Sequence, residues 1–255
     1  MIFRNIVFSA VLVGLISSLI YSVFQQWQIS PIIHAAEQYE VANEPHSPKE
    51  FSSTENDYQT HNHNHEAWSP KDGWPRVIST LIANSLMGIG FALILICAML
   101  LHNLKSRKST VSWKTGLLWG AITMIIVYIA PAVSGLPPEI PGTVAQGLHH
   151  RQTWWISTAL STGIGLGILY YSSLRFKGIG LIFIAVPQAI RAPQPNMHSF
   201  SNTDSAVIAA LDALTQQFIL MSGIGMAIFC LLLGALSGQA SSLFRFDSII
   251  DHRSK

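Results

Sequence analysis

Residues 77–101 read VISTLIANSLMGIGFALILICAMLL, an unbroken run without a charged side chain. At 1.5 Å per helical residue such a run is about 37 Å long, enough to cross the roughly 30 Å hydrocarbon layer of a bilayer. The whole chain has the composition this implies. Of 255 residues only 15 are Lys or Arg and 13 Asp or Glu, 11% together. A soluble domain carries about a quarter. The sequence therefore describes an all-α integral membrane protein. Its net charge of +2 carries no nucleic-acid signal, because the basic residues sit at segment ends.

On the N-terminal side, an apolar segment over 3–24 is too long for the core of a cleaved leader and reads as an anchor that stays in the membrane. Between it and residue 77 lies 37–76, rich in Glu, His, Asn, Ser and Pro. That composition cannot bury a core, so it reads as a mobile loop. Glu37-Gln38-Tyr39-Glu40 prolongs the first helix at one end, and Asp72-Gly73-Trp74-Pro75 turns into the next at the other. On the C-terminal side, further spans are expected at about 115–133, 153–174 and 213–236. The segment 178–190 is short and interrupted by Pro187, so the bundle has six helices if it spans and five if it does not.

Lys and Arg gather in cytoplasmic loops. With six spans, ten lie inside together with both termini: Arg4, Lys105, Arg107, Lys108, Lys114, Arg175, Lys177, Arg245, Arg253 and Lys255. The other five are spread over much longer outer loops. Of the carboxylates, all but Asp247 and Asp251 then face outward, and so do all histidines except His102 and His252. Histidine and carboxylate positions play no part in the positive-inside rule, so their segregation is independent information.

That outer face holds the candidate metal ligands. His61, His63 and His65 alternate in the loop and offer neutral imidazoles to a divalent cation. Alternation in an extended chain points neighbours to opposite faces, so this is a weak, adaptable collector rather than a preformed cage. His34, Glu37 and Glu40 share one face if helical. Glu139 sits in Pro137-Pro138-Glu139-Ile140-Pro141-Gly142, which cannot be regular helix and can line a pathway mouth, with His149 and His150 close behind. Solvated helix ends and a rigid loop are the plainer accounts of these groups. Gly116-x-x-x-Gly120 and Gly234-x-x-x-Gly238 are small-residue pairs that let helices approach closely, and Cys97 and Cys230 read as packing residues. No zinc-protease, nucleophile-elbow or phosphate-loop motif is present, and no carboxylate or histidine lies mid-span, so nothing points to an enzyme, a bound haem or a proton pump.

Several of these stretches resemble the CbtA family: Phe3-Arg4-Asn5-Ile6-Val7-Phe8, Gln25-Gln26-Trp27-Gln28, Asp72-Gly73-Trp74, the proline-rich segment around Glu139, Arg151-Gln152-x-Trp154-Trp155, and Pro187-Gln188-x-Ile190-x-Ala192-Pro193. The resemblance implies a predicted cobalt transporter subunit of a bacterial inner membrane, working with CbtB, a small single-span subunit with its own histidine motif. It also implies five spans. Cobalt rests on the resemblance alone, since the same ligands suit nickel or zinc. No cofactor is expected. The other reading of the residues is a non-transporting metal sensor or assembly factor.

Overall fold

The computed structural model describes residues 2–41, 70–106, 112–144, 147–192, 200, 202 and 204–243. They form a bundle of six helices, with no regular strand among the described residues. Helix α1 covers 2–41 as α-helix Ile2–Phe24, a π turn Gln25–Ile29 and α-helix Ser30–Val41; α2 is Trp74–Ser106. Helix α3 covers 113–133 with a π turn Ile125–Ile129 inside it, and α4 is Leu148–Tyr171. A single 3-10 turn, Leu174–Phe176, leads into α5, Lys177–Ile190, and α6 is Ser205–Leu243. Four of these (α1, α2, α3 and α6) are long and apolar enough to cross a membrane. The remaining two form a hairpin, α4 with 24 residues and α5 with 14.

The helices differ from the sequence reading at several points. Helix α4 begins at Leu148 rather than Thr153, so His149 and His150 lie in its first turn. Helix α6 begins at Ser205 rather than Ala213, where the Asp204 carboxylate accepts from the Ala206 N–H. Pro187 falls in the last turn of α5 and does not break it. Residues 37–41 and 74–76, at the two ends of the expected loop, belong to α1 and α2, and Gly73 makes the turn into α2 at φ +86°.

The helices alternate in direction. Gly14 of α1 lies against Gly88 and Ile89 of α2, and Gly165 of α4 against Gly180 of α5. Gly116 and Gly120 of α3 meet Gly234 of α6, and Gly238 meets Gly116, so the two small-residue pairs seen in the sequence face each other backbone to backbone. Pairing thus gives two hairpins, α1/α2 and α4/α5, around a central α3/α6 pair. Ile2 and Leu243 stand at one end, the near end; the far end holds Gly73, residues 134–144, Arg191, Ala192 and Asp204.

Two prolines shape the α3–α5 side. Pro131 has no N–H for the Val127 carbonyl one turn back, and the Trp155 indole N–H donates to that oxygen instead, at 3.0 Å. Pro187 likewise cannot serve Phe183, whose carbonyl accepts from the Ser161 hydroxyl at 2.6 Å. Both π turns end two residues before a proline, Pro31 in α1 and Pro131 in α3. Widening the turn there relieves the clash between the proline ring and the preceding carbonyl.

The main core lies in the middle of the bundle: Ile6, Ala10 and Val13 of α1, Ala92, Leu95, Ile96 and Met99 of α2, Val127 of α3, and Phe229, Cys230 and Leu233 of α6. Leu12, Leu19, Leu86, Ile94 and Leu160 point outward and exposed. A lipid-facing surface requires this, and a soluble bundle would not tolerate it. At 40 and 39 residues, α1 and α6 are about 60 Å long, twice the hydrocarbon thickness. Their far ends meet in a second core of Ala36, Ile140, Phe200 and Leu211, joined by the bridge between Thr143 and Phe200.

A side chain at Gly234 would run into the backbone of Gly116 and Gly120, whereas Gly167 has open space around it. Gly234→Val should therefore cost about 1–3 kcal/mol or more by overpacking. It should lower the thermal midpoint of the detergent-solubilised protein by several degrees, while Gly167→Val leaves it within about one degree.

Candidate functional site

The far end of the α1/α2 hairpin gathers the first set of ionisable groups. One helical turn on α1 brings the His34 Nδ1 to 3.0 Å from the Glu37 Oε2. The carboxylate is also gripped from the first turn of α2: Arg76 places one guanidinium nitrogen 2.5 Å from Oε1 and the other 3.3 Å from Oε2. Arg76 reaches back to Asp72 as well, at 3.0 Å. Two carboxylates and one guanidinium leave this mouth with a net charge of −1 when His34 is neutral. Glu40 lies on the same helix, but its side chain is outside the described residues.

Beneath the Arg76 pair is a cleft of about 110 Å³, lined by Gln25, Gln26, Ser30, Ile33, His34, Gly73, Arg76, Val77 and Thr80. The π turn puts Gln25 and Gln26 in its wall. From there Gln25 continues inward to a second polar set. The Asn84 Nδ2 donates to the Gln25 Oε1 at 2.7 Å and to the Ser22 Oγ at 2.9 Å, and the Ser18 hydroxyl donates to the Asn84 carbonyl at 2.7 Å.

The 136–147 connection provides the other set. Glu139 is three-quarters buried and its Oε2 lies 2.7 Å from an Arg151 guanidinium nitrogen at the start of α4. Ser134, just before this segment, donates to the Pro131 carbonyl, accepts from the Trp154 indole, and through its own carbonyl receives the Ala192 N–H. These contacts fix both ends of the α4/α5 hairpin to the end of α3. His149 and His150 are exposed, with ring centroids 6.2 Å apart. Neither histidine is brought to Glu139 in a ligand set: among the described residues no group of three or more His, Cys, Asp or Glu side chains is arranged to hold a metal ion. His61, His63 and His65 lie outside the described residues.

Sequence reasoning missed the partners of both carboxylates. Arg76 is 39 residues from Glu37, and its only signal was a charge placed directly ahead of an uncharged span. Asn84 had a clearer signal, an amide inside that span. At the near end, His102 shares a 2.7 Å hydrogen bond with the Tyr171 hydroxyl, and the Lys105 ammonium sits 4.3 Å from that ring. This cluster ties α2 to α4 and has no carboxylate in it.

Glu37 lies beyond the apolar run 3–24 of α1. The Arg76 guanidinium, helped by His34 and opposed by partial burial, holds its carboxyl below the usual range. A carboxylate depressed on folding stabilises the protein above its unfolded pKa, about 4.3, and loses that contribution as pH falls through the lower folded value. The thermal midpoint of the wild type should accordingly exceed that of Glu37→Gln at neutral pH. The difference should begin to shrink as pH falls through about 4.3 and be lost only below the depressed folded value.

The CbtA family model, described as a probable cobalt transporter subunit, matches residues 3–242 of the 255. No curated protein and no solved structure matches the chain. The family match runs from the first turn of α1 to the last of α6 and takes in both paired carboxylates, the cleft and the proline-shaped α3–α5 side. This multi-pass membrane protein belongs to the CbtA family of probable cobalt transporter subunits.

Proposed function

We propose that the chain is the multi-span subunit through which cobalt(II) enters across a bacterial inner membrane. Both termini lie in the cytoplasm and the far end faces outward. The near end then carries ten of the 15 Lys and Arg residues, in agreement with the positive-inside rule. Inward movement of a divalent cation gains about 4.6 kcal/mol per 100 mV, twice the single-charge value, so uptake needs no motor within this chain.

The observation that carries the reading is the gathering of carboxylates and imidazoles at one end of a membrane bundle, in a chain that belongs to a cobalt transporter family. His61, His63 and His65 collect the ion and raise its local concentration. His34, Glu37 and Glu40 receive it at the α1/α2 mouth, and Glu139, with His149 and His150 nearby, serves the α3/α4 side. At each mouth an arginine occupies the carboxylate until a cation displaces it: Arg76 on Glu37, Arg151 on Glu139. A small single-span, histidine-bearing subunit of the CbtB kind completes the transporter. Cobalt(II) is cargo here, and nickel or zinc are the competing ions to test.

Those same ion pairs favour one other reading. A carboxylate latched by arginine is also a switch, and a non-transporting sensor or assembly factor would use cation binding to release it.

Cobalt-57 accumulation in cells carrying this gene and that of its partner tests the proposal, with no gain over cells lacking both as the result that ends it. Glu37→Ala and Glu139→Ala should each reduce the initial rate about tenfold or more, the loss typical of removing a group that orients or binds a metal. Deleting residues 56–66 should raise the half-saturating cobalt concentration and leave the maximal rate within about twofold.

A further inference from the structure

We infer that a divalent cation on its way through the membrane is held at a site between α1 and α2 built from the side-chain oxygens of Ser22, Gln25 and Asn84, reached from the far end through the cleft below Arg76. The inference rests on the transport reading and adds to it a route and a mid-path ligand set.

The polar groups along this seam are continuous. From the far end they are Glu37 and His34 with Arg76; then Ser30, Gln26 and Thr80 in the cleft wall; then Gln25, shared by the cleft and the Asn84 cluster; then Ser22 and Ser18. Amides so deep are costly unless bonded, and the cluster bonds them. Helix adhesion alone would account for one such bond. It does not account for a water-sized cleft ending on the same glutamine.

The geometry suits a small cation. Asn84 places its Nδ2 between two acceptors, 2.7 Å from the Gln25 Oε1 and 2.9 Å from the Ser22 Oγ. A half-turn of the amide about its last side-chain bond puts the Oδ1 there instead. The Oδ1 then stands from each of the two acceptors at a separation close to the edge of an octahedron, about 3.0 Å for metal–oxygen bonds of about 2.1 Å. The amide thus turns from donor to ligand when a cation enters among the three oxygens. Neutral amide and hydroxyl oxygens bind a divalent ion weakly, as a transit site must, and leave it part of its water shell.

Below the cluster the seam is shut. A Cβ at Gly14 would lie 2.5 Å from the Ile89 nitrogen, and one at Gly88 would run into the Ser18 hydroxyl. In this structure, then, the site meets the cleft at Gln25 on its far side and is closed toward the near end. Onward passage requires α1 and α2 to part at Gly14 and Gly88.

The test uses the full chain in right-side-out spheroplasts, with Cys97→Ser, Cys230→Ser and a single new thiol from Thr80→Cys in the cleft wall. A membrane-impermeant thiosulfonate added outside should modify that thiol, and Co2+ should slow the modification at least about fivefold, a protection that tracks occupancy. Adding Asn84→Ala should abolish the protection. Adding Asn84→Asp, which keeps the shape and supplies a carboxylate oxygen, should shift it to a cobalt concentration at least about tenfold lower. A thiol that is never modified from outside, or protection unchanged by both Asn84 substitutions, overturns the site. Cobalt-57 uptake in the same cells separates this from the transport reading. Uptake by the wild type that Asn84→Ala and Asn84→Asp leave unaltered overturns the route alone. Asn84-dependent protection without any uptake by the wild type upholds the site and overturns transport.

Discussion

Hydrocarbon offers no hydrogen-bond partner to a backbone carbonyl, so a proline inside a membrane helix obliges a neighbouring helix to supply the missing donor. Helix α4 meets that obligation twice, with Trp155 for the Val127 carbonyl of α3 and Ser161 for the Phe183 carbonyl of α5. Its position between those two helices follows. So does its composition. A helix that must donate to both neighbours carries Trp155 and Ser161 where a plain span would carry leucine. This is a physical reason why α4 does not stand among the four most apolar long helices, although it has the length.

The opposite solution operates between α3 and α6. There glycine removes the side chain altogether, and the backbones of Gly116, Gly120, Gly234 and Gly238 touch. Lipid gives no hydrophobic drive to bring two apolar helices together, so close van der Waals contact of this kind is what remains to hold them. The α1/α2 seam mixes the two strategies, glycine contact at Gly14 and Gly88 and an amide network one turn further out at Asn84.

Much of this was legible before any coordinates. Charge-free runs located the helices, the four-residue spacing of glycines marked a contact surface, and three prolines excluded helix around Glu139. Each of these is a local rule, read within a few residues. What escaped was non-local or depended on how a local conflict is resolved. Nothing in the neighbourhood of Glu37 announces Arg76, because their meeting depends on two helices returning to the same level across 39 residues of chain. Glu139 and Arg151 are closer in sequence, yet their contact depends on the path of the 136–147 connection. Pro31 and Pro131 each posed a choice between a break, a kink and a widened turn, and the sequence alone does not rank those outcomes. Residue type therefore nominates candidate ligands, but not the arginines that hold two of them.

The clasp between Glu37 and Arg76 also bears on how this chain can change over generations. It fastens the last turns of α1 to the first turn of α2, so the hairpin is secured before the residues connecting the two helices contribute anything. For a flexible connection each doubling of length costs only about 0.6 kcal/mol in closure entropy, so a hairpin clasped at this level puts little penalty on a change of loop length. The residues that join the two helices are thereby under a different constraint from the pair that fastens them.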